Sequence, residues 1–121
     1  MIKKRLDSFK FAFAGIHNLF KTESNAIVHL IAAVIAVAMG FFFSISTTEW
    51  CFVIFAIAFV FSAEALNTAI EHLTNLVSPD YNDLAGKTKD AAAAAVLFAA
   101  IGAAIVGLII FLPKIIDFIP K

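Results

Sequence analysis

The sequence predicts an all-α integral membrane protein: one amphipathic surface helix followed by three transmembrane helices. Three observations predict it. Apolar residues make up 62% of the 121-residue chain and charged residues only 15%, against roughly 45–50% and about 25% in ordinary soluble domains. The apolar residues gather into three runs, each long enough to cross a hydrocarbon core of about 30 Å. Lys3, Lys4, Arg5, Lys10 and Lys21 all precede the first of these runs. A soluble domain this small exposes too much of its surface to hide that much hydrocarbon. The chain reads as a single domain over residues 1–121, with zero net charge and no expected nucleic-acid partner.

The surface helix is expected over residues 3–20. Phe9, Phe13, Ile16 and Phe20 recur at i, i+4, i+7 and i+11, one stripe of a helix. Lys3, Asp7, Lys10, His17 and Lys21 largely occupy the other faces. A basic amphipathic helix of this kind lies in the headgroup plane. Its basic start does not read as a cleaved leader, because the oily run that follows is too long and lacks a cleavage site.

The first span is expected over about 26–45, with His29 and Ser44 as its only polar interruptions. His29 reads as a capping or packing residue at the span's entrance. The polar turn "SISTTEW" follows, and the second span covers about 50–76. Cys51, inside that span, reads as a packing residue. In "SPDYNDLAGKTKD", Pro79 disfavours helical geometry at Ser78 and breaks the segment. The third span covers about 91–112 and is expected to stop at Pro113. Its small residues Ala91, Ala95, Ala99, Ala103 and Gly107 form a four-residue ridge that suits close helix packing in lipid.

Basic residues set the expected topology. Five precede the first span, Lys87 and Lys89 follow the second, and the first connection has none. Positive-inside bias then places the amino terminus and the Lys87 connection in the cytoplasm, leaving Lys114 and Lys121 outside.

The oily second span ends in "AEALNTAIEH". Glu64, Asn67, Thr68 and Glu71 stand at i, i+3, i+4 and i+7 and share one helix face. A carboxylate in hydrocarbon costs about 3 kcal/mol or more, so such a residue marks a functional site. Counted from Trp50, Glu64 lies about 21 Å inward and Glu71 a further ~10 Å. That gradient from oil to water suits phosphoryl transfer to a lipid alcohol, which needs positioning and charge neutralisation more than covalent chemistry. A carboxylate withdrawn from bulk water serves as base towards the alcohol. One nearer water, joined by Glu23, can hold Mg²⁺, an ion that prefers oxygen ligands. No "GxxxxGK[ST]", glycine-rich phosphate loop, kinase catalytic loop or Cys/His zinc set is present.

The stretch "EALNTAIEHLTNLVSPDYNDLAGKTKDAAAAAVL" resembles the signature region of the prokaryotic diacylglycerol kinase family, which includes undecaprenol kinases. The carrier is E-x-x-N-[ST]-A-I-E, followed eighteen residues after Glu71 by Lys89-Asp90. "RLDSFKFAFAGI" and "TESNAIVH" extend the likeness upstream to the surface helix and the first span.

The resemblance implies a homotrimer in the bacterial inner membrane, with ATP and a membrane lipid meeting at cytoplasmic sites shared between subunits. It implies Glu64 as general base and Glu23 and Glu71 as ligands of Mg²⁺ bound with ATP. It also implies Asn67, Asp80, Tyr81, Asn82, Lys89 and Asp90 around the nucleotide. Lys4 or Arg5 adds charge from the surface helix, where Phe11 borders the nucleotide. Asn75 departs from the aspartate common in the family. "TESNAIVH", with Asn25 and His29, and the ending "IVGLIIFLPK" lean towards the undecaprenol branch over the diacylglycerol one.

A small channel or proton-conducting subunit is the competing reading, with the two glutamates lining a pore. The amphipathic anchor and the mixed-charge connection have no place in it, and Trp50–Val60 offers no polar lining. A third reading, an inactive assembly subunit, would tolerate Glu64→Gln.

Overall fold

A computed structural model describes residues Met1–Lys121. It contains four helices and no strand: α1 (Ile2–Thr22), α2 (Ser24–Phe42), α3 (Thr47–Val77) and α4 (Asp83–Phe118). The last three are long and apolar enough to cross a membrane, and the chain is a membrane protein.

Helix α1 gives way to α2 at Glu23, whose backbone is extended (φ −106°, ψ 110°). Leu19 is the only buried residue of α1, and Phe20 packs edge-on against Phe61 of α3 with ring centroids 5.5 Å apart. Phe9 and Phe13 stay exposed, so the phenylalanine stripe remains available to lipid.

Helix α2 ends at Phe42, three residues short of the expected Ile45. The reason is local. Ser44 takes the left-handed conformation (φ 50°), its N–H bonds the Phe41 carbonyl, and the Ile45 N–H bonds the Gly40 carbonyl. This double bond pattern around a left-handed residue closes a helix and satisfies its last carbonyls. Ile45 then buries itself. Gly40 is required by close approach: a Cβ there would sit 2.6 Å from the Trp50 ring.

Helix α3 starts with a capping box, in which Ser46 Oγ accepts from the Glu49 N–H and Glu49 Oε1 accepts from the Ser46 N–H. The helix therefore gains a turn over the expected Trp50 start. It ends before Pro79, as the missing N–H of proline dictates. Cys51 is exposed rather than packed.

Two expectations for α4 are corrected. The helix begins at Asp83, because the Asn82 side chain accepts from the N–H groups of Leu84 and Ala85; Lys87, Lys89 and Asp90 lie on its first turns and not in a loop. Nor does it stop at Pro113, which lies inside it. The last turns are pinned by tertiary contacts: Lys114 Nζ reaches Glu49 Oε2 at 2.6 Å and the Ile110 carbonyl at 3.2 Å. Ile115 packs on the knot formed by Ile45, Val53, Ile110 and Phe111.

Antiparallel α3 and α4 make the most extensive contact in the molecule. Val60 and Ala63 pack on Ala99, with Val96 and Ala103 alongside. The ridge is therefore only half used: Ala92 and Ala99 are buried, whereas Ala91 and Ala95 are exposed. The buried positions Val53, Val60 and Glu64 follow the three-and-four spacing of a helix seam.

Candidate functional site

Glu64 lies within that seam. It is 2% exposed and is the only buried charged residue. Its neighbours along the same face, Asn67, Thr68 and Glu71, are half-buried. Glu64 Oε1, Asn67 Oδ1 and Thr68 Oγ1 are buried with no aligned hydrogen-bond partner. Three adjoining orphan polar atoms are unusual in a folded protein, where buried polar groups are paired. They point to something polar that belongs beside them.

His29 of α2 stands opposite, its Nε2 3.0 Å from Glu64 Oε1 but off the line of an aligned hydrogen bond. Its expected role at the span entrance did not include this pairing. The general signal that an ionisable group in a span seeks a partner was present in the sequence.

The His29–Glu64 contact sets the register of α2 against α3. Stepping back six residues to Glu23 or forward seven to Glu71 moves about 9 and about 10 Å towards the same end of the bundle. The two expected metal ligands thus share a level. No group of three potential ligand side chains forms within the chain. Two carboxylates at one level nevertheless suit Mg²⁺, which takes one or two protein carboxylates and completes its shell with phosphate and water.

At that same end, five of the expected nucleotide residues surround one hollow of about 260 Å³: Asp80, Tyr81, Asn82, Lys89 and Asp90, with Asn75 and Gly86. The local fold explains their convergence. Pro79 ends α3, Asn82 starts α4, and Lys89 follows two turns later on the face towards α3. Lys89 Nζ donates to Asn75 Oδ1 at 2.5 Å, joining the two helices. Because the acceptor is an amide rather than a carboxylate, the lysine charge is left unneutralised. Tyr81 donates to Asp83 Oδ1 at 3.0 Å. The Asn82 oxygen is occupied by its cap, so its NH₂ is what it offers to a ligand.

Lys4, Arg5 and Phe11 are not joined to this group within the chain. They lie on the exposed part of α1, Phe11 being 71% exposed. On the other side of Glu64, His29 borders a groove of about 220 Å³ between α2, α3 and α4, lined by alanine, valine and phenylalanine. Along α3, Glu64 lies one turn beyond the groove's Val60 and about 16 Å before the hollow's Asn75.

Comparison with known proteins relates the chain to a kinase family. The model of the family described as "Prokaryotic diacylglycerol kinase" matches residues 10–111. An undecaprenol kinase of Bacillus subtilis is 43% identical over 108 residues, 89% of this chain and 88% of that one. A diacylglycerol kinase of Synechocystis is 34% identical over 113 residues, covering 93% of this chain and 65% of the relative. A diacylglycerol kinase of Escherichia coli is 31% identical over 95 residues, 78% of each chain.

Proposed function

The chain belongs to the prokaryotic diacylglycerol kinase family and is a lipid kinase; on that footing we propose that it transfers the γ-phosphate of ATP to the hydroxyl of undecaprenol or diacylglycerol. The reaction takes place at the cytoplasmic face of the bacterial inner membrane, with the amino terminus on that side and the whole chain acting as one catalytic unit. The observation that carries this reading is Glu64, a buried carboxylate whose level along α3 falls between an apolar groove and a hollow that holds Lys89. A greasy alcohol and a charged triphosphate approach one another from those two sides.

In this reading Glu64 takes the proton of the acceptor hydroxyl as the alcohol oxygen bonds to the γ-phosphorus and the bond to the departing ADP oxygen breaks. Asn67 and Thr68, whose buried oxygens lack partners, orient the reacting groups. Lys89 holds phosphate oxygens, and Asp90, Asp80, Tyr81 and the Asn82 NH₂ border the nucleotide. Glu23 and Glu71 would hold Mg²⁺, which supplies charge neutralisation on the triphosphate. Lys4 or Arg5, with Phe11, approaches from α1 in a homotrimer whose sites are shared between subunits. Their separation from the hollow in one chain fits such sharing.

Orientation is supported by the Lys114–Glu49 pair, since a lysine neutralised at the outer end no longer opposes the positive-inside bias. The higher identity to an undecaprenol kinase favours undecaprenol as acceptor. A pore has no support, because the groove beyond His29 is apolar.

The test uses purified protein in mixed micelles with Mg²⁺, γ-labelled ATP and each alcohol in turn. Label appearing in lipid phosphate, with higher kcat/KM on undecaprenol, is expected. Label transfer to neither alcohol overturns the proposal.

A further inference from the structure

Glu64 is buried yet has no basic side chain near it except His29. Its Oε1 is fully shielded and lacks an aligned donor, and His29 Nε2 lies 3.0 Å away. Leaving a buried carboxylate oxygen unpaired is costly, so this contact is the one available remedy within the chain. The distance already suits a hydrogen bond, and what the contact lacks is alignment. Contacts of this kind commonly tighten when the reacting complex forms.

The position of His29 gives the contact a purpose. It is the only polar side chain on the apolar groove between α2, α3 and α4, so it stands where a hydrocarbon chain would end and a hydroxyl begin. It is also the sole polar tie between α2 and the seam of α3 and α4 at this level. An imidazole N–H can fix one carboxylate oxygen while the other remains free to take a proton. A lysine or arginine would instead compete for the carboxylate as a full counter-charge.

We infer that His29 is a positioning residue for phosphoryl transfer: its Nε2–H holds Glu64 Oε1, turning the second carboxylate oxygen towards the acceptor hydroxyl at the head of the groove. This rests on the kinase reading with Glu64 as base.

The experiment compares wild type, His29→Leu and His29→Gln in mixed micelles with Mg·ATP and, in turn, undecaprenol and diacylglycerol, taking kcat and KM for ATP separately on whichever alcohol wild type phosphorylates. Misplacing a reacting group by about 1 Å costs on the order of 10²-fold in rate, so His29→Leu is expected to lose about that in kcat, with KM for ATP within about twofold. His29→Gln, whose amide can donate at similar reach, is expected to recover most of the loss. Where His29→Leu does not fold, His29→Asn replaces it: its amide falls short of Glu64, and the same loss is expected. An active wild type with kcat unchanged in His29→Leu or His29→Asn overturns the inference alone. So does His29→Gln as impaired as those variants. A wild type unable to phosphorylate either undecaprenol or diacylglycerol overturns the kinase reading beneath it.

Discussion

Glu49 and Lys114, sixty-five residues apart, meet at 2.6 Å and tie the start of α3 to the end of α4. The same glutamate caps its own helix through Ser46. The Lys114 hydrogen bond foremost, then the Ser46 N–H, holds the Glu49 carboxyl below the ordinary value of 4.5. Its contribution to stability is therefore fully present above 4.5 and disappears as pH falls through the lowered value. Thermal unfolding in detergent, followed by circular dichroism, should show a midpoint that declines on acidification below about 4.5. In Glu49→Gln that decline should shrink; an equal decline in both proteins would count against the pair.

Glu64→Gln should separate chemistry from architecture. The amide fills the same volume in the α3–α4 seam, so the unfolding midpoint should hold. Turnover should fall by about 10²- to 10⁴-fold, the span ascribed to a general base. Retained turnover in a well-folded variant would remove Glu64 from that role.

The Asn75–Lys89 bond suggests how nucleotide affinity is set. Asn75→Asp gives Lys89 a carboxylate partner that competes with phosphate. Exposed pairs of this kind contribute at most about 1 kcal/mol, so KM for ATP should rise by up to about fivefold. The rise should fade at high salt, where exposed charges are screened. A KM unaltered at low salt would mean that Lys89 does not bind phosphate.

Asn82 caps α4 and, in the proposed reading, also borders the nucleotide; one substitution pair divides the two roles. Asn82→Asp keeps a side-chain oxygen for the Leu84 and Ala85 N–H groups but removes the NH₂. It should unfold with wild-type stability while KM for ATP increases. Asn82→Ala should also lose about 1 kcal/mol of stability as the cap disappears. Unchanged KM in both variants would confine Asn82 to capping.

Periodicity made the helices and the polar face of α3 legible, because a span of apolar residues and an i, i+3, i+4, i+7 pattern are local signals. Endings were less legible. Serine is seldom left-handed, so Ser44 gave no sign that it would close α2 before Ile45. The rule that proline ends a helix failed at Pro113, where Lys114 and Ile115 are held by residues far away in sequence. A four-residue ridge could not reveal that Ala92, rather than Ala91 and Ala95, would face α3. The hollow around Lys89 could be anticipated from the shortness of the α3–α4 connection. The His29–Glu64 contact could not, since it depends on the register between α2 and α3, which no single segment encodes.

That register also makes the molecule a depth gauge. With His29 level with Glu64, the first residue of α2 lies opposite the region of Ala69, so about 12 Å of α3 extends beyond α2 with only α4 as its partner helix. The hollow at Lys89 lies at the level of this segment, whereas the groove below His29 lies among the three apolar spans. A thicker bilayer would draw the segment down among the headgroups and a thinner one would lift it free, so acyl length alone should tune how readily the two substrates meet.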